Sequence, residues 1–240
     1  MIRTILTVLF VTIFLILSIP VWGVEWIVGK FNKKAMENSQ FAIVQWAFKV
    51  VYFLAGARVT IVDEEKVPKD EAVLFVGNHA SIFDIVIAYA RVPLYTGFVA
   101  KNSIKKVPLL RTWMTKNHCV FIDRDDIRQS MQVILTSIEY VKEGYSIFIF
   151  PEGTRTKTGE MADFKDGSFK IATKSGCKVV PVAFIGTRDV FENHSPRMKK
   201  TAVKMIYGDP IDLSTLEGED KKHPGAYVQA QVAKLIEANK

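Results

Sequence analysis

The stretch Ala72-Val73-Leu74-Phe75-Val76-Gly77-Asn78-His79-Ala80-Ser81-Ile82-Phe83-Asp84 decides how this chain reads. Residues 72–76 form a short, uninterrupted apolar run, the pattern of a strand buried on both faces, and Gly77-Asn78 is a turn signal. Ser81 then reads as a helix cap opening the amphipathic run from Ile82 to Arg91. His79 falls in the strand-to-helix turn, with Asp84 in the first helical turn behind it. A turn of this kind lets the carboxylate meet one imidazole nitrogen and fix its tautomer while the other nitrogen faces a substrate. The same residues also spell Ser81-x-x-Asp84, a capping box in which Asp84 serves the helix end instead.

Spacing alone does not choose between those readings. The chain has four histidines, and a His-x4-Asp match arises by chance in roughly one such chain in five. A second match, from His118 to Asp123, shows the difference that local structure makes. Its intervening residues Cys119-Val120-Phe121-Ile122 read as extended chain, which holds the two side chains about 15 Å apart. Only the first match has a turn that brings them together.

The N-terminal sixty residues have a different texture. Residues 5–28 are almost wholly apolar, with Glu25 the only charge, and as helix they extend about 36 Å, enough to cross a bilayer core. No small-x-small cleavage site follows, so a removed signal peptide is not the reading. Pro20 is expected to kink or end the helix. The second apolar segment, Phe41 to Leu54, is about 21 Å long as helix and carries Gln45 and Lys49. It suits an interfacial or re-entrant helix better than a span.

Arg3 precedes the first segment, and Lys30, Lys33 and Lys34 lie between the two. Keeping both flanks on the cytoplasmic side makes the pair a hairpin in one leaflet. The competing topology has the first segment spanning with its short tail outside. The hairpin is the topology adopted here: monotopic association with the cytoplasmic face of the cell membrane, residues 1–57 forming the membrane-associated part and 58–240 the soluble domain.

From residue 58 onward, short apolar runs alternate with amphipathic stretches. Strands are expected at 58–62, 72–76, 97–100, 119–122, 146–150, 179–185 and 202–207. Helices are expected at 82–91, 109–116, 126–142, about 168–174 and about 226–238. The fold class is α/β, a mixed and largely parallel sheet covered by helices on both faces. Sites in such sheets gather in the loops beyond strand ends. Cys119 and Cys177 read as buried strand thiols rather than a disulfide framework, in keeping with a reducing compartment.

Net charge is +7 and the isoelectric point about 9.3, which points to an anionic partner. No dense Lys/Arg tract, zinc spacing or aromatic-basic motif supports nucleic acid. Two strand ends supply candidate anion ligands. After the strand 146–150 comes Pro151-Glu152-Gly153-Thr154-Arg155-Thr156. Here a positive φ at Gly153 lets successive amides converge into an anion nest, and Arg155 adds a fork suited to phosphate oxygens. The plain alternative is a solvated turn with a surface Arg. After Phe121-Ile122, Asp123-Arg124 offers a second guanidinium, unless Arg124 pairs with Asp123, Asp125 or Asp126. Lys101, Lys105 and Lys106 could close the pocket or be ordinary solvated charges.

Taken in order, Asn78-His79-x-Ser81-x-x-Asp84, Phe121-Ile122-Asp123-Arg124, Phe150-Pro151-Glu152-Gly153-Thr154-Arg155-Thr156 and Val179-Val180-Pro181-Val182-Ala183-Phe184 resemble the four blocks of the glycerolipid acyltransferase family. The resemblance covers about residues 58–190, and Glu-Gly-Thr-Arg in the third block looks like its lysophosphatidate acyltransferase branch. It implies acyl transfer from acyl-CoA or acyl-acyl-carrier protein to the sn-2 hydroxyl of 1-acylglycerol 3-phosphate, giving phosphatidic acid. These would be co-substrates, with no separate cofactor and no metal.

The implied roles are general base for His79, tautomer control for Asp84, and phosphate binding for Arg124, Arg155 and Lys105. Gly153 and Thr154 would line the acceptor site, with Glu152 orienting cations or acceptor. The other readings are a metal-dependent hydrolase, for which no ligand cluster is legible, a transacylase or an acyltransferase for another acceptor, and a non-catalytic lipid-binding protein.

Overall fold

In the computed structural model, which describes residues 1–123 and 126–240, the chain begins with two long antiparallel helices. The first, α1, runs Ile2–Phe31 and the second, α2, runs Lys33–Ala55, joined at Asn32, whose side chain accepts from the Ala35 amide. Pro20 lies inside α1 without ending it, contrary to one expectation above. Gly56, at φ 91°, stops α2 in a left-handed conformation that suits glycine.

The strands are β1 (Ala57–Val62), β2 (Leu74–Gly77), β3 (Thr96–Lys101), β4 (Val120–Ile122), β5 (Ser146–Ile149), β6 (Val179–Ile185) and β7 (Thr201–Tyr207). Between them lie α3 (Ile82–Arg91), α4 (Pro108–Lys116), α5 (Ile127–Lys142) and α6 (Lys170–Ser175); α7 (Gly218–Lys222) and α8 (Pro224–Ala238) follow. The sheet order is β1-β7-β6-β2-β5-β3-β4. Only the β6–β7 pair is antiparallel, so five neighbouring strands run one way and β1 with β7 the other. The mixed, largely parallel sheet expected from the alternating pattern is the one found.

The two faces of β2 show why its apolar run is unbroken. Phe75 packs with Phe98, Phe148, Val180 and Val182 under α2, α3 and Trp113 of α4. Leu74 and Val76 pack with Ile147, Ile149 and Val179 under α5, α6 and α8. A central strand covered on both sides has no position at which a polar side chain is cheap.

The second N-terminal helix belongs to this core. Phe41, Val44, Val51 and Ala55 share the cluster of Phe75 and Phe148, and Gln45 donates to the Val92 carbonyl. The boundary expected at residue 57 therefore falls between elements that share one core. The first helix, α1, is attached through an aromatic seam: Phe14 stacks on Trp113 at 5.7 Å, Trp22 meets it edge-on at 5.8 Å, and the Trp113 indole donates to Ser18 Oγ at 2.6 Å.

The outer row of α1, including Ile5, Leu9, Ile16 and Val24, is exposed. Among the described residues α1 is the one helix long and apolar enough to cross a membrane, and its uncovered apolar surface points to membrane association. Cys119 is buried just before β4. Cys177 is only half-buried and lies in the loop before β6, not in a strand.

Candidate active site

β2 and β5 are neighbours and parallel, so the residues that follow them emerge at one end of the sheet. Gly77 is the last residue of β2 and still pairs with Val182. The chain turns through Asn78, whose side-chain Oδ1 accepts from the Phe184 amide at 2.8 Å and whose Nδ2 donates to the Phe184 carbonyl at 3.1 Å. A side-chain amide thus continues the β2–β6 ladder while the backbone leaves it. The turn falls where Gly77-Asn78 signals it, but the device is this mimicry rather than glycine flexibility. Glycine at 77 answers a close approach instead: a Cβ there would stand 3.1–3.2 Å from the Phe184 and Phe148 rings.

The turn delivers His79 onto Phe150, ring centroids 4.2 Å apart, with Nδ1 3.0 Å from Asp84 Oδ2. The same Oδ2 accepts the amides of Ala80 and Ser81 at 2.7 Å each. Ser81 Oγ accepts from the Phe83 amide, completing a capping box. The two readings of Asp84 are therefore one arrangement, since capping the helix is what aims the carboxylate at the imidazole. Asp84 is fully buried, and its Oδ1 has no hydrogen-bond partner among the described residues. The other match behaves as its extended reading required: His118 and Asp123 flank the ends of β4.

The loop after β5 places its residues in different roles. Glu152 is buried; Oε1 accepts the His79 amide, and Oε2 that of Ala162 at 2.9 Å. It is a clamp between the His79 turn and the loop around residue 162, rather than a partner for cations. Burial pushes its carboxyl up, while hydrogen bonds from the Ala162 and His79 amides pull the other way.

Gly153 has the expected positive φ, 83°. Its amide, however, donates to the Phe150 carbonyl, and the Thr156 amide donates to the His79 carbonyl. Those two amides are therefore spent within the protein. Thr154 and Arg155 are exposed.

Arg155 reaches the His79 turn through a residue that sequence reasoning passed over. Its Nη1 lies 3.0 Å from Glu192 Oε1. Glu192 also accepts from the Ile82 amide at 2.8 Å and, at Oε2, from Ser81 Oγ at 2.6 Å. Nothing in the local pattern Phe191-Glu192-Asn193-His194 separates it from a polar surface turn. Its partners lie 37 and more than 100 residues away.

The remaining candidates lie elsewhere. Lys105 sits at the same end of the sheet, but beyond β3 and over the Phe121 ring at 5.3 Å. Since β3 is two positions from β2, Lys105 is displaced sideways by about 10 Å or more. Arg124 lies outside the described residues. A cleft of about 210 Å³ beside the turn is bounded by His79, Glu152, Thr156 and Met161 together with Ile236 and Lys240 from the C-terminal end, a region in which no motif had been legible.

The sequence model described as Acyltransferase matches residues 58–185. The 1-acyl-sn-glycerol-3-phosphate acyltransferase of Borreliella burgdorferi is 28% identical over 200 residues, covering 83% of this chain and 80% of that one. A protein of Mycoplasma pneumoniae named as a probable 1-acyl-sn-glycerol-3-phosphate acyltransferase is 32% identical over 177 residues, 69% of this chain and 66% of its own. The crystal structure of the 1-acyl-sn-glycerophosphate (LPA) acyltransferase from Thermotoga maritima superposes with a TM-score of 0.74, covering 99% of both chains at 23% identity, a likeness of fold.

Proposed function

The chain belongs to the acyltransferase family, and from that premise we propose that it acylates the sn-2 hydroxyl of 1-acylglycerol 3-phosphate, releasing phosphatidic acid. The acyl donor is acyl-CoA or acyl-acyl-carrier protein. The observation that carries the proposal is the junction of two strand ends: the His79–Asp84 pair after β2 and the Arg155 guanidinium after β5, bridged by Glu192.

An alcohol is a weak nucleophile at neutral pH. With Nδ1–H held by Asp84, Nε2 of His79 accepts the hydroxyl proton as the oxygen attacks the thioester carbonyl. Asp84 stabilises the imidazolium as it forms. The tetrahedral intermediate collapses with loss of the thiolate, a good leaving group since the thiol pKa is near about 8.5 by analogy with Cys. No acyl-enzyme is required, because the substrate brings the nucleophile. Arg155 grips the acceptor phosphate and thereby sets which hydroxyl stands at His79.

The outer row of α1 enters one leaflet at the cytoplasmic face, while α2 stays with the domain. Three features support this topology: the packing of α2 into the core, the hydrogen bond that ties Arg3 to the end of α2 at Leu54, and the lysines at 30, 33 and 34. The acceptor then arrives from the membrane, and the donor from solution.

The test is a matrix of donors and acceptors on purified protein. Phosphatidic acid should form from 1-acylglycerol 3-phosphate with at least one of the two donors, and monoacylglycerol lacking the phosphate should be a poor acceptor. Equal turnover of the uncharged acceptor would contradict the proposal.

A further inference from the structure

We infer that Glu192 is a positioning residue that presets the Arg155 guanidinium for the acceptor phosphate, an inference that rests on the phosphate role proposed above for Arg155. Arg155 has a side chain half open to solvent, and a free arginine there would sample many rotamers before meeting an anion. Glu192 Oε1 removes that freedom from one side, at 3.0 Å from Nη1. Its own position is fixed from the other side by the Ile82 amide and the Ser81 hydroxyl, three and two residues beyond His79. The guanidinium is thereby referenced to the turn that carries the base.

The segment that supplies Glu192 holds the loop a second time. Arg188 donates from Nη1 to the Thr156 carbonyl at 2.8 Å and from Nη2 to the Lys157 carbonyl at 3.0 Å. Its Nε donates to Asn193 Oδ1 at 3.2 Å. The backbone just after Arg155 and the side chain of Arg155 are thus both gripped from residues 188–193. A glutamate that only capped α3 would need no contact with Arg155.

A double-mutant cycle on the full chain separates the two roles. Glu192→Gln keeps an acceptor for the Ile82 amide but loses the charge opposite Arg155. Acceptor and donor KM, kcat and Tm are measured for Glu192→Gln, Arg155→Ala and the double variant. The expected result is a rise in acceptor KM of about fivefold for Glu192→Gln at an unchanged donor KM. In the Arg155→Ala background, Glu192→Gln should add nothing further.

Multiplicative effects in the double variant, or a fall in Tm with no change in acceptor KM, would overturn the inference. So would a lowered acceptor KM, which would make Glu192 a competitor for the guanidinium. An Arg155→Ala variant with wild-type acceptor KM would instead remove the phosphate role itself, and this inference with it.

Discussion

Asp84 Oδ2 lies 3.0 Å from His79 Nδ1 and also accepts two backbone amides of the intervening turn. One oxygen therefore shapes the turn and selects the tautomer. Asp84→Asn, with its amide oxygen in the place of Oδ2, keeps the turn and the acceptor for Nδ1–H but removes the negative charge that stabilises the imidazolium. The expected loss in kcat is about 10²-fold or more, with both KM values within about threefold. Steady-state kinetics check it; a loss under tenfold would leave Asp84 as a helix cap alone.

Asn78 is predicted to matter for stability before chemistry. Asn78→Leu leaves both the amide and the carbonyl of Phe184, in the sheet interior, without the partners they now have. Each orphaned buried group costs about 1–3 kcal/mol, so urea denaturation should show a loss of about 2–4 kcal/mol. A loss under about 0.5 kcal/mol would mean that the strand ladder closes without the side chain.

His118 should govern part of the acid limb of stability. It stacks on Tyr145 at 3.9 Å and meets Tyr140 and Tyr95 edge-on. Burial lowers its pKa, partly offset by Glu37 and Glu143 and reinforced by Lys33. A folded-state value below the unfolded one, near about 6.5, means that neutral His118 stabilises the fold fully above that pH. The contribution is lost as pH falls through the folded value. His118 sits at φ 56°, so asparagine is the replacement its backbone tolerates. The stability gap between wild type and His118→Asn should narrow from pH 7.5 to 5.5, whereas a constant gap would contradict the assignment.

The outer row of α1 should be dispensable for folding and necessary for membrane binding. Leu9 and Ile16 are 52% and 56% exposed, so Leu9→Lys with Ile16→Lys removes apolar contact without opening the core. Vesicle co-sedimentation should fall at least tenfold, each lysine placed in the bilayer costing about 2–3 kcal/mol. Activity on a short-chain, water-soluble acceptor should persist. Undiminished sedimentation would place the membrane contact elsewhere.

The parts of this protein legible in its sequence are those encoded by neighbours. The helix at 82–91 and the strand at 179–185 fall where expected, because a cap, an amphipathic repeat and an apolar run are local signals. The His79–Asp84 contact is local too, spanning a single turn.

Contacts made across the fold were not legible. Glu192 meets Ser81 and Arg155 from a loop after β6, and Glu152 serves two backbone amides rather than cations. The Thr156 amide is likewise taken by the His79 carbonyl, which only the folded chain brings near. Pro20 does not end α1, whose inner row of Phe10, Phe14, Leu15, Val21 and Trp22 packs against the core on both sides of it.

Single-turnover acyl transfer by His79→Ala, followed beside acceptor binding to the same variant, tests the central claim most directly. With the general base removed and the phosphate ligands intact, the rate should fall at least about 10³-fold while acceptor affinity stays within about threefold. A rate within tenfold of wild type, at unchanged affinity, would show that the imidazole does not take the proton.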